Sequence, residues 1–177
     1  MPYSPARLAV ILACLFFFSF GAYAQTGIYA TASASNFNTP NVNWQYGSTF
    51  GLYDDFLHAP FVGAGLDARA QLLGSGTSKV YSGLAGPHIQ IHPHVIPLMP
   101  YFEGLVGAGQ VNVGQGSATV DQTAFAYEGV AGIDWTILPR FDWRVVEFSY
   151  EGFPNLNASM VSPRTLSTGI VFRVPFL

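Results

Sequence analysis

The stretch Val62-Gly63-Ala64-Gly65-Leu66-Asp67-Ala68-Arg69-Ala70-Gln71-Leu72 changes character at every step. Val62, Ala64, Leu66, Ala68, Ala70 and Leu72 fall on one side of an extended chain, and Gly63, Gly65, Asp67, Arg69 and Gln71 on the other. A period of two sustained this long is a β-strand with one apolar face and one polar face. The polar face is unusual. A sheet facing water is richer in Lys and Glu, whereas here glycine dominates and a single acid lies two residues from a single base. Such a face can be enclosed if its charges pair. The apolar face then needs a solvent of its own, and lipid is that solvent.

The same alternation recurs on both sides of this segment. In the first strand Ile28, Ala30, Ala32 and Ala34 oppose Tyr29, Thr31, Ser33 and Ser35. In the second, Phe50 and Leu52 oppose Thr49, Gly51 and Tyr53. The fourth sets Tyr81, Gly83, Ala85, Ile89 and Ile91 against Ser82, Gly86, His88, Gln90 and His92. The fifth sets Phe102, Val106 and Ala108 against Tyr101, Glu103, Gly107 and Gly109. The sixth sets Phe125, Tyr127, Ala131, Ile133, Trp135 and Ile137 against Glu128, Gly132, Asp134 and Thr136. The seventh sets Val146, Phe148 and Tyr150 against Glu147, Ser149 and Glu151, with Arg144 on the apolar side, where a membrane interface would hold it. The eighth sets Leu166, Ile170, Phe172, Val174 and Phe176 against Ser167, Gly169, Val171 and Arg173.

Eight strands imply an all-β, antiparallel, up-and-down transmembrane barrel, closed so that no backbone edge meets lipid unpaired. Connections alternate in length. Short ones fall around His58-Ala59-Pro60, His94-Val95-Ile96-Pro97 and Leu138-Pro139-Arg140-Phe141. Longer polar ones are expected over 37–45, 74–79, 112–123 and 152–164. That pattern puts both termini on the short-turn side, the periplasm. The interior of such a barrel is filled by side chains, and inward Gly63, Gly65, Gly107, Gly109, Gly132 and Gly169 leave room for Tyr101, Arg69 and Arg173.

Residues 1–24 read as a cleaved secretory signal peptide. Arg7 precedes an apolar run from Leu8 to Phe20, and Ala22-Tyr23-Ala24 supplies the small-x-small site. The barrel domain is then 25–177. The only cysteine, Cys14, lies in that leader, so neither disulfides nor a thiol enzyme is expected. With seven Lys and Arg against ten Asp and Glu, a nucleic-acid partner is not expected. No cofactor or metal site is expected either.

The C-terminus carries a further mark. Ser167-Thr168-Gly169-Ile170-Val171-Phe172-Arg173-Val174 has the order polar, any, Gly, any, any, hydrophobic, any, hydrophobic. It resembles the β-signal read by the barrel-assembly machinery of outer membranes, although Phe176 is penultimate and Leu177 ends the chain. On this motif, the leader and the eight alternating segments, the chain resembles the small outer-membrane β-barrels of the outer-membrane-protein-A/X-like superfamily. The resemblance implies outer-membrane location, a monomer surrounded by outer-membrane lipids, and roles in envelope integrity, adhesion or slow permeation. In that reading Ser167, Gly169, Phe172 and Val174 are the assembly signal.

The candidate interior network is Asp67, Arg69, His88, Glu103, Glu128, Asp134, Glu147 and Arg173, joined by Glu151 and His92. It reads as a structural salt-bridge layer, with a cation-preferring path as the functional alternative. His88, His92 and His94 share a face at a spacing that could suit a metal, but Pro93 and Pro97 interrupt the strand and favour lumen filling. Some barrels of this size resemble lipid A-modifying enzymes that use a His-x-Ser pair; none occurs here, and no catalytic residue is expected. The other reading is a secreted, soluble, lipocalin-like barrel with an apolar ligand, which requires the apolar faces to point inward.

Overall fold

A computed structural model describes residues 25–36, 44–75, 78–93, 95–115, 118–154 and 162–174, with backbone only at 78, 111–115 and 118–122. The leader, His94 and Phe176 lie outside the described residues. Eight strands follow in order: β1 Gln25–Asn36, β2 Gln45–Ala59, β3 Val62–Ser75, β4 Ser78–Ile91, β5 Leu98–Gln115, β6 Ala118–Leu138, β7 Phe141–Gly152 and β8 Arg164–Arg173. Each pairs antiparallel with its neighbours in sequence, and β8 pairs back to β1, so the sheet is a closed barrel.

The pleat sets the inside and the outside. On β3 Asp67 and Arg69 are 1% and 4% exposed, while Leu66 between its inward neighbours is 56% exposed. Ile28, Leu52, Phe102 and Ile170 likewise stand outward on their strands, each more than half exposed. Alternate residues Tyr29, Thr31, Ser33 and Ser35 on β1 are buried. On the other strands Thr49, His88, Gln90, Glu103, Glu128, Asp134, Glu147, Ser149 and Ser167 are buried as well.

Three features differ from the sequence reading. Two connections expected to be long loops, 74–79 and 112–123, are mostly strand: β3 reaches Ser75 and β4 restarts at Ser78, and β5 and β6 pair as far as Gln115 with Ala118. Lys79 is therefore an exposed strand residue. Backbone pairing carries small polar residues into a hairpin whatever their side-chain preference. On the short-turn side two connections are tighter than expected, with only residues 60–61 and 139–140 between strands, while residues 92–97 join β4 to β5.

The second difference is Arg144. Expected on the apolar side, it is fully buried inside. Arg144 faces Gly169 while Glu147 faces Ser167, so Val145 and Val146 oppose Thr168 alone. This β-bulge resets the pleat, and Arg144 and Glu147 both turn inward. Thr168 Oγ1 fastens the bulge by donating to the Arg144 carbonyl at 2.9 Å, and accepts from Trp143 Nε1 at 3.1 Å. The third difference is that the interior is not uniformly polar. Leu73, Val80, Leu84, Leu105, Val130 and Phe153 form a buried apolar cluster on the β3–β6 side, towards the end opposite the N-terminus.

Candidate functional site

The barrel interior is the only concentration of chemistry among the described residues, and it is layered. At mid-height two arginines enter from opposite walls. Arg69 of β3 donates through Nη1 to Glu147 Oε1 at 3.2 Å and through Nε to Asp67 Oδ1 at 3.3 Å. Its Nη2 binds Glu103, and Glu128 Oε2 lies 3.7 Å from Nη1. Arg144 of β7 donates through Nη1 to the other oxygen of Glu147 at 2.9 Å. Its Nε and Nη2 grip both oxygens of Asp134 at 3.0 and 3.2 Å. Glu147 thus bridges the two guanidiniums.

Aromatic rings complete this layer. The Arg144 guanidinium lies 4.2 Å from the Tyr29 ring centroid and 4.3 Å from that of Tyr101, sandwiched between two faces whose quadrupoles favour a cation. Each tyrosine also donates its hydroxyl to the acids: Tyr101 to Glu147 at 2.6 Å and Tyr29 to Asp67 at 3.0 Å. The rings lie across glycines of the adjacent strands. Gly132 faces Tyr101, and Gly51 faces Tyr29. A Cβ at either glycine would collide with the opposing ring, so glycine is what lets a ring lie against the wall.

Below this layer, towards the termini, His88 Nδ1 is 3.0 Å from Glu103 Oε1, and Nε2 is 3.8 Å from Asp55 Oδ1. Tyr53 stacks on the imidazole with centroids 4.6 Å apart. Arg173 donates to Asp142 Oδ1 at 2.7 Å and to Thr136 Oγ1 at 3.0 Å near the mouth. His92 follows β4 beside Gly63. Burial, then the charge of Arg173, pulls its pKa below the ordinary imidazole value. Above the arginine layer, β1, β2 and β8 present hydroxyls: Ser167 donates to Ser33 at 2.9 Å, Thr165 to Ser35 at 2.9 Å, and Ser33 lies 3.1 Å from Thr49.

All eight residues of the candidate network, Asp67, Arg69, His88, Glu103, Glu128, Asp134, Glu147 and Arg173, are in the interior. They form two clusters: Arg173 joins Asp142 at the mouth, and the rest gather around Arg69 and Arg144. Glu151 is buried opposite Glu128 on the neighbouring strand. Sequence reasoning missed Asp55, Asp142 and Arg144. Asp142 directly follows a turn, and Asp55 precedes a bulge between Asp55 and Leu57, so a simple period of two is weakest at both. The adjacent β-branched pair Val145-Val146 was the available signal for Arg144. Among the described residues no group of three or more His, Cys, Asp or Glu side chains is placed to hold a metal ion. Ser167, Gly169 and Phe172 lie on β8, and Val174 follows it, donating its backbone N–H to the Thr26 carbonyl at 2.9 Å.

No protein-family model and no curated protein matches the sequence. Solved structures do. Neisserial surface protein A superposes with a TM-score of 0.57 at 14% identity, over 85% of this chain and 97% of that one. The N-terminal β-barrel domain of OprF from Pseudomonas aeruginosa gives 0.54 at 14% identity, over 86% and 100%. Ail, the attachment invasion locus protein of Yersinia pestis, gives 0.48 at 18% identity, over 84% and 97%. At 14% identity the likeness to the first two is one of fold, and the fold is that of the small eight-stranded outer-membrane β-barrels.

Proposed function

We propose that the chain is an integral outer-membrane β-barrel, exported by its leader and inserted through the signal on β8, that serves the envelope as a monomeric structural protein. Its lumen is plugged by the cross-barrel ion pairs, and it has no enzymatic activity. The observation that carries this reading is the inversion of the usual protein plan: Arg144, Asp134, Glu147 and His88 are buried, while Ile28, Leu66, Phe102, Ile137 and Ile170 are outside and more than half exposed. In water that surface would be a very large apolar patch; in lipid it is matched to its solvent. Aromatic residues mark the two ends of the wall, with Trp135, Trp143 and Phe141 near the short turns and Trp44, Tyr46 and Tyr150 towards the other rim, as interfacial girdles do. The lipocalin-like alternative needs the opposite polarity and loses its premise.

A permeation role is the second reading, favoured by the excess of interior acids over the three interior arginines. It is the weaker one, because Glu147 ties the β3 and β7 arginines together across the middle of the barrel. The test is cell fractionation with gel electrophoresis. The chain should sediment with outer membranes and migrate differently before and after heating in detergent. Recovery as a soluble periplasmic protein with no heat-dependent shift would refute the membrane reading.

A further inference from the structure

We infer that the outer wall carries a seat for one phosphate-bearing lipid at the β1–β8 seam, with Arg164 holding the phosphate and an acyl chain lying over Ala34 and Ala32. This rests on the membrane reading above and adds which lipid chemistry the wall selects. Two hollows run down this seam. The upper, about 350 Å³, is bounded by Asn36, Trp44, Phe148, Arg164 and Leu166. The lower, about 380 Å³, lies over Ala32 and Ala34 between Tyr46, Val146 and Leu166. Leu166 lines both, so the two hollows adjoin along its side chain.

The register explains the hollows. Asn36 faces Arg164 at the rim, Ala34 faces Leu166 on one side and Tyr46 on the other, and Ala32 faces Thr168. Two alanines therefore make a floor between the walls of Tyr46 and Leu166, which stand 64% and 50% exposed. Thr168 lies four residues below Arg164, or about 13 Å. With strands tilted by about 40° this is about 10 Å of depth, some two thirds of one leaflet's share of a hydrocarbon core about 30 Å thick.

Charge decides the headgroup. Arg69, Arg144 and Arg173 all have carboxylates within 4 Å. Arg164 has none among the described residues, and it stands outward at the end away from the termini. A guanidinium fork suits the oxygens of a phosphate, and Trp44 beside it is a side chain that favours the lipid–water boundary. By contrast, the larger hollow of about 700 Å³ between Phe50, Leu52 and Val106 has no outward-facing cation in its lining. It offers a place for a chain without choosing a headgroup.

Trp44 is also the reporter. The chain with W135F and W143F keeps it as the sole tryptophan. Folded into phosphatidylcholine vesicles containing a minor fraction of either brominated phosphatidic acid or brominated phosphatidylcholine, it should show about five-fold stronger association with the phosphatidic acid, as about 1 kcal/mol for one basic group near an anionic headgroup implies. R164Q should bring the two lipids to equal quenching, while R140Q, at the opposite end, should leave the preference intact. A34F, which fills the floor and leaves Arg164 in place, should also abolish it. Equal quenching in the parent would overturn the seat, as would a preference that survives R164Q or A34F. So would a chain that dimerises with Trp44 shielded from both lipids. A chain that yields no heat-modifiable band in the vesicles overturns the membrane reading itself, a failure seen before any lipid is compared.

Discussion

β3 and β7 stand on opposite walls of the barrel, and each sends one arginine into the same layer. They satisfy it differently. Arg69 sits in a crowd of acids, with Asp67, Glu103, Glu128 and Glu147 all within 4 Å. Arg144 has Asp134 and Glu147 as its acids and uses the faces of Tyr29 and Tyr101 for the rest of its surroundings. A buried cation is costly unless its charge and its donors are all answered. The comparison shows two ways of answering them. On β3 the cation holds several carboxylates together, while on β7 two carboxylates and two rings hold the cation.

The largest effect should therefore come from Arg69. Its removal leaves four buried carboxylates with Arg144 as the only nearby guanidinium. Arg69→Ala should destabilise the barrel by about 3–5 kcal/mol, the cost of breaking a buried pair, read as a lower urea midpoint for unfolding from lipid vesicles. Arg144→Met keeps an apolar stem between Tyr29 and Tyr101 and strands fewer acids, so its midpoint should fall less. A larger loss from Arg144→Met would mean that the rings, rather than the acids, dominate the layer.

The next effect tests how the rings are seated. Gly132→Ala forces Tyr101 off the β6 wall and away from Glu147, and overpacking of this kind costs about 1–3 kcal/mol. An unchanged midpoint would show that Tyr101 can move without disturbing the arginines. The smallest effect is expected outside the barrel. Lys79→Ala removes an exposed cation with no ion-pair partner among the described residues, and should leave the midpoint where it is. A fall comparable to that of Arg69→Ala would deny any energetic difference between the enclosed and exposed sides.

The same two strands show what was legible in the sequence. β3 has an unbroken pleat, so alternation alone puts Asp67 and Arg69 on one side and Leu66 and Ala68 on the other. β7 contains an extra residue at Val145-Val146, and any count carried across it inverts the side of Arg144. Periodicity reports side but not height. The meeting of Arg69 with Glu147, 78 positions apart, depends on the stagger of strands on opposite walls, which no local pattern contains. The β5–β6 hairpin was hidden for another reason. Its tip is rich in Gly, Ser, Asn and Gln, a composition that reads as loop, while its pairing is made by backbone groups that any residue supplies.

In the proposed arrangement the polar faces point inward and the apolar faces towards lipid. Its most direct test is a single-cysteine scan from position 63 to position 72 of β3, in the chain with Cys14→Ser, folded into vesicles and probed with a lipid-soluble spin relaxant. Labels at 64, 66, 68, 70 and 72 should be strongly relaxed and those at 63, 65, 67, 69 and 71 protected, a period of two in phase with Leu66. The same period in the opposite phase, with position 67 or 69 relaxed and 66 or 68 protected, would contradict it.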